Sequence, residues 1–150
     1  VWAAEVTTGV TQVKPPSNEV LAIQLVHSLN GLGYSLDVQS KIKLKAMQLG
    51  VDESLALNIA CAESQFKATA KNPSSTAGGV YQFLTSSWKY YGLKYWGTLE
   101  GRNKLDPDDN IELALLILRD TGTGDWLASK YSGFGGGWLA KPVERGLCPA

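Results

Sequence analysis

From Leu55 to Ala62 the chain runs Leu-Ala-Leu-Asn-Ile-Ala-Cys-Ala, with Asn58 its only polar side chain, and the run ends on Glu63. A segment this rich in Ala and Leu favours helix, and one that is apolar nearly all round has to be buried. The fold must therefore close around it as a core helix. Asp52 can cap its start, and Glu53 falls in the first turn, where the helix dipole favours an anion. Glu63 falls in the last turn, with Ile59 and Ala60 behind it and Phe66 ahead. Apolar neighbours and the negative end of the dipole both disfavour an ionised carboxylate, so its pKa is expected above the usual range. A general acid is prepared in this way for work near neutral pH. The competing reading is an ordinary exposed Glu at a fraying helix end, since most carboxylates have no chemical task.

The chain around that helix suits one soluble domain. Its 150 residues allow one sizeable core, and 44% apolar with 19% charged residues is a globular composition. Fourteen basic and fourteen acidic residues cancel, so there is no basic excess of the kind that binds nucleic acid or membrane surfaces. No apolar run approaches the ~20 residues that cross a bilayer. The two cysteines, Cys61 and Cys148, form no CxxC motif, and His27 stands alone among Leu25, Val26 and Leu29 as a helix-surface or core residue. No metal site and no cofactor are expected. Cys61 sits in the buried helix, where a free thiol is common; a bridge to Cys148 would tie the C-terminus to the core if the chain is exported. Val1-Trp2-Ala3-Ala4 is compatible with the remnant of a small-residue signal-cleavage site or with an arbitrary boundary. The expectation is an exported monomer, periplasmic or extracellular.

Turn and cap residues divide the remainder. Residues 1–17, ending in Lys14-Pro15-Pro16-Ser17, read as an irregular N-terminal arm. A first helix is expected over 18–29, ended by Asn30-Gly31-Leu32-Gly33. Asp37 can cap a second over 38–49, stopped by Gly50, with Val38, Ile42, Ala46 and Leu49 on one face. Its Lys41, Lys43 and Lys45 read as a solvated face. The core helix is expected over 53–66, followed by a loop through Asn72-Pro73-Ser74-Ser75-Thr76. Gly78-Gly79-Val80-Tyr81-Gln82-Phe83 suggests a close backbone approach or a brief strand. A short helix capped by Thr85 is expected over 86–91, closed by Gly92. Asp106-Pro107-Asp108-Asp109 opens a long apolar helix to Asp120, ended by Gly122. A further short helix over 125–131 precedes the glycine tract of residues 133–137, read as a flexible or tightly turning loop.

Three of these stretches belong together. Glu63-Ser64-Gln65-Phe66, then Ala77-Gly78-Gly79-Val80-Tyr81-Gln82-Phe83, then Thr85-Ser86-Ser87-Trp88 resemble the lytic transglycosylase (soluble-transglycosylase-like) domain, a relative of goose-type lysozyme. That family shows Glu-Ser-x-Phe at a helix end, a small-residue loop, Gly-x-x-Gln, and a Ser/Thr-x-x-Trp helix. The resemblance is strong from Ile59 to Gly92, about a quarter of the chain. It implies a mainly α, lysozyme-like helical domain over residues 18–150, with at most a minor β-hairpin beside a cleft for the glycan strands of peptidoglycan. It implies Glu63 as the catalytic acid, with Ser64 orienting it or touching the sugar, and Gly79 and Gln82 lining the cleft. Tyr81 replaces the Met or similar residue more usual before that Gln and offers a sugar-stacking platform. The family's Ala-Tyr-Asn motif is absent; Ala128-Ser129-Lys130-Tyr131-Ser132 is the closest stretch, which would bring Tyr131 to the cleft. Trp88, Tyr90, Tyr91, Tyr95 and Trp96 are core packing or, where exposed, further stacking faces.

The acid count bears on the reaction. Glycosidases usually need two carboxylates, one to protonate the leaving oxygen and one as base or nucleophile. Between Glu63 and Glu100 there is no other Asp or Glu. A partner from Asp106, Asp108, Asp109, Asp120 or Asp125 is conceivable, but helix capping and first-turn roles already explain three of these. One acid fits transglycosylation, in which the C6 hydroxyl of the same muramic sugar is the nucleophile. The alternatives are a hydrolytic muramidase, with water placed by a remote Asp or by Asn72 and Ser75, and a catalytically silent glycan-binding module.

Overall fold

Asp52 accepts a hydrogen bond from the Leu55 N–H at 2.7 Å and starts the central helix, as its position in the sequence predicts. The computed structural model describes residues 14–32 and 35–148. Within them lie five α-helices: α1 (Asn18–Gly31), α2 (Val38–Leu49), α3 (Glu53–Ser64), α4 (Thr85–Trp96) and α5 (Pro107–Thr121). Three short 3-10 turns follow, Gly124–Ser129, Phe134–Gly136 and Trp138–Ala140. Of the expected N-terminal arm, residues 1–13 lie outside the described residues, as does Gly33; Lys14 to Ser17 are exposed and irregular.

Every side chain of α3 from Ala56 to Ala62 is buried, so the apolar run is a core helix with neighbours all round. Packed on it are α2 and the three 3-10 turns, while α5 closes the other side of α2 and carries α4. Ile42 and Ala46 of α2, Ile59 of α3, and Ile111, Leu113, Leu115 and Ile117 of α5 are essentially inaccessible to water. Each such Ile or Leu contributes about 1.5–3 kcal/mol by burial. Asn58 is the polar exception and is fully used. Its amide donates to Ser54 O and to Glu144 Oε2, at 2.9 and 2.8 Å, and accepts from the Val143 N–H at 2.9 Å. Cys61 is bonded to Cys148, with their Cα atoms 6.1 Å apart. The C-terminal tail is thus fastened to α3 twice.

Asp37 caps α2 through the Ser40 N–H at 2.7 Å, and Gly50 ends it in the left-handed conformation. Lys41, expected on a solvated face, pairs with Asp108 of α5 at 2.8 Å. Asp106 caps α5 and Pro107 opens it. α1 runs on to Gly31 and buries none of its residues, leaving Leu21 and Leu25 about half exposed.

Four expectations need correction. The core helix ends at Ser64, because Gln65 and Phe66 both turn to positive φ. α4 does not close at Gly92 but continues to Trp96; Gly92 is interior, where a Cβ would strike the Leu99 side chain, so it marks close packing and Gly97 is the stop. Nor does Thr85 cap that helix: Thr76 of the loop does so from outside, accepting the Thr85 N–H at 3.0 Å. The short helix expected over 125–131 is a 3-10 turn broken at Trp126. The possible hairpin reduces to isolated antiparallel bridges, Lys71 with Gly78 and Gly78 with Phe83. The glycine tract turns tightly, with Gly133, Gly135, Gly136 and Gly137 all at positive φ.

Candidate active site

Glu63 projects from the last turn of α3 into an open cavity of ≈ 330 Å³. The floor is the α3 terminus, from Ala62 to Gln65; Lys67, Lys71, Asn72 and Gln82 form the walls. Burial raises the Glu63 carboxyl above its usual 4.5, and a hydrogen bond from the Ser129 hydroxyl acts more weakly in the opposite direction. No other carboxylate lines this cavity. The five acids considered as partners are occupied elsewhere. Asp106 caps α5, Asp108 pairs with Lys41, and Asp109 pairs with Arg102 at 2.9 Å. Asp120 pairs with Arg119 at 2.8 Å, and Asp125 accepts from the Tyr91 hydroxyl at 2.9 Å.

The backbone around the acid is held in costly conformations. Four non-glycine residues among those described have positive φ; two of them, Gln65 and Gln82, line this cavity, and a third, the buried Phe66, follows Gln65 in the chain. Such a conformation costs on the order of 1 kcal/mol for a residue with a Cβ and persists only where its surroundings impose it. At Gln82 the imposing contacts are visible: its amide donates to Gly79 O at 2.9 Å and to Ala70 O at 3.1 Å, bridging the two sides of the loop. That loop is pinned in turn by Asn110 of α5, which is completely buried. Its carbonyl accepts from the Tyr81 N–H at 2.9 Å, and its amide donates to Lys104 O at 2.8 Å.

The remaining residues singled out in the sequence fall differently. Ser64 reaches the cavity edge, but its hydroxyl donates to Ala60 O of its own helix at 3.2 Å. Gly79 is buried at φ +85°, and a Cβ there would meet Asn110 and come within 2.6 Å of Lys104 O. Its glycine serves the close approach of α5. Tyr81 is 1% exposed, and its hydroxyl donates to Ala56 O at 2.9 Å while its ring packs edge-on against Trp126. It is a core residue and presents no face to a sugar. Burial pushes its pKa up. Tyr131 is 73% exposed beside Lys130 and does not line the Glu63 cavity, because the chain turns outward after Ser129. Among the aromatic run, Trp88 is buried against Phe83 and Trp96, whereas Tyr90 stays exposed.

Ser129 is the residue that sequence reasoning passed over. It is buried, sits in the stretch where Tyr131 drew attention, and reaches Glu63 across the fold. Its position is set by Trp126, whose indole N–H donates to Tyr81 O at 3.1 Å. The Trp126 carbonyl accepts from both the Ser129 hydroxyl and the Trp138 indole, at 3.2 and 2.8 Å. The only signal available in sequence was its place in the counterpart of the family's third motif.

The family model for the transglycosylase SLT domain matches residues 40–129, more than half of the chain. The matched span contains Glu63, Gln82, Asn110 and Ser129, stops short of Tyr131 and begins after α1. No curated protein and no solved structure matches the chain. With its helical core, single recessed acid and facing Gln82 loop, the chain belongs to the transglycosylase SLT domain family.

Proposed function

We propose that the chain is a peptidoglycan lytic transglycosylase that cleaves the MurNAc–GlcNAc β-1,4 bond with Glu63 as its one catalytic carboxyl. The observation that carries this reading is a half-buried acid of raised pKa in a cavity with no second carboxylate. Protonated Glu63 donates to the glycosidic oxygen as the C1–O bond breaks. The resulting carboxylate then takes the proton of the C6 hydroxyl of the same muramyl sugar as that oxygen bonds to C1. The products are an anhydro-muramyl end and a free GlcNAc hydroxyl. Inverting and retaining hydrolases place a second carboxyl roughly 5–9.5 Å from the acid for water or for a covalent intermediate, and this cavity supplies none. An internal nucleophile held by its own ring needs no such group. Gln82, fixed by two backbone carbonyls, lines the wall that meets the sugar.

The unit we assign to this activity is residues 18–150, acting as a monomer. The Cys61–Cys148 bridge favours an oxidising, extracytoplasmic compartment, where peptidoglycan lies. Among the described residues no helix is long and apolar enough to cross a membrane. Replacement of Glu63 by Gln should lower the release of soluble fragments from purified cell walls by roughly 10²–10⁴-fold. Unchanged release would remove Glu63 from the mechanism, and no release by the unaltered protein would leave a glycan-binding module.

A further inference from the structure

A second cavity of ≈ 290 Å³ adjoins the Glu63 cavity, and Lys71 and Asn72 line both. Its walls include Thr76, Thr85 and Lys104. The Lys104 ammonium is anchored there, donating to Thr76 O at 2.5 Å and to Thr85 Oγ1 at 3.2 Å. Lys71, by contrast, has its charge free: no carboxylate among the described residues lies within ion-pairing distance of Lys67, Lys71 or Lys104. No Asp or Glu lines the second cavity, and the backbone beneath it is braced by the Lys71–Gly78 and Gly78–Phe83 bridges.

In a chain whose fourteen cationic and fourteen acidic side chains otherwise cancel, this recess is a local excess of positive charge on a rigid wall. Burial and the neighbouring Lys71 charge both hold the Lys104 pKa below its usual value, so the two cations repel each other without a counter-charge. The proposed reaction does not use this charge. The glycan backbone is built of neutral hydroxyl and acetamido groups, whereas the peptide carried on the muramyl lactyl group bears carboxylates.

We propose that the recess between Lys71 and Lys104 is an anion subsite that receives a carboxylate of the muramyl peptide stem while the adjoining sugar lies over Glu63. This rests on the peptidoglycan reading above. The subsite makes the protein select strands with charged stems, and an ammonium–carboxylate contact of this kind is among the stronger hydrogen bonds.

The test uses uncross-linked glycan strands in two forms, with stem carboxylates free or converted to primary amides. The unaltered protein should show a kcat/KM ratio of about tenfold in favour of the free-acid strands, shrinking as salt is raised. Lys71→Met and Lys104→Met should each reduce that ratio several-fold, and Lys104→Arg, which keeps the charge, should retain most of it. Binding of a soluble disaccharide-peptide to the Glu63→Gln protein, in acid and amide forms, gives the same comparison without turnover. Equal kcat/KM and equal binding for the two forms, or a ratio untouched by Lys71→Met, would overturn the subsite. Absence of cleavage with a preserved acid-form binding preference would overturn the catalytic reading and leave the subsite standing.

Discussion

At the scale of single residues, the raised pKa of Glu63 has two consequences of definite sign. If Glu63 is the general acid, it must carry its proton in the resting complex, so kcat/KM on glycan strands should fall as pH rises through its folded-state pKa, above the 4.5 of an unperturbed Glu. Below 4.5 the group is protonated in both folded and unfolded chains. Between that value and its folded pKa the native state holds a proton that the unfolded chain releases, so stability is lost as pH rises through this window and is then constant. Glu63→Gln removes the loss. Melting curves of the two proteins should therefore diverge in favour of the variant with rising pH and become parallel above the folded pKa; curves parallel throughout would show an unperturbed acid. Ser129 acts on the same group. Its single hydroxyl proton can face the Trp126 carbonyl while Glu63 is neutral and turn to the carboxylate once the proton has left. Ser129→Ala should move the alkaline limb of the pH–rate profile upward, and Ser129→Thr should restore it in part. A lower rate with an unmoved limb would mean that Ser129 only fills space.

Among the elements, α5 does more for the site than its amphipathic pattern suggests. Asn110, with the Trp126 indole on Tyr81 O at 3.1 Å, holds the Gly79–Gln82 turn against the core; from a fully buried position Asn110 accepts from the Tyr81 N–H at 2.9 Å and donates to Lys104 O at 2.8 Å. Asn110→Ala would leave the Tyr81 N–H and Lys104 O without partners, at a cost of about 2–4 kcal/mol. It should also reduce cleavage at temperatures where the variant is still folded, because Gln82 would lose its setting; denaturant titration and wall digestion together check both. The helices themselves were legible because their signals are local. Asp52, Asp37 and Asp106 cap where the chain places them, and Gly50 ends α2 by its left-handed φ. Gly92 misled because a helix-interior glycine chosen for the nearness of Leu99 looks, in sequence, like a stop. Tyr81 misled for a related reason: adjacency to Gln82 says nothing of the alternation that sends one side chain to the wall and the next into the core. The recessed setting and raised pKa of Glu63 were readable from three local facts, its helix, its place in the last turn and its apolar neighbours. Ser129 and Asn110 were not, since their importance lies in contacts across the fold.

For the molecule as a whole, α3 is both the core and the mount of the acid, and the C-terminal tail is the strap that keeps it there. The strap consists of the Cys61–Cys148 bridge and the bonds of Asn58 to Val143 and Glu144. Closing a loop with a sequence separation of 87 should stabilise the fold by about 4.6 kcal/mol in the chain-entropy account. Cys148→Ser should lower the urea midpoint correspondingly, and an unchanged midpoint would mean that the bridge adds nothing to the stability that the Asn58 bonds already give the tail. The proposed chemistry then rests on a single acid in a cleft walled by lysines, Asn72 and Gln82. Mass spectrometry of the muropeptides released from purified walls by the unaltered protein tests this most directly. If Glu63 acts alone, first as acid and then as base, the new muramyl ends carry the 1,6-anhydro ring and are lighter by one water than reducing ends. Reducing ends without the anhydro form would contradict the account and show that water, placed by some other group, is the nucleophile.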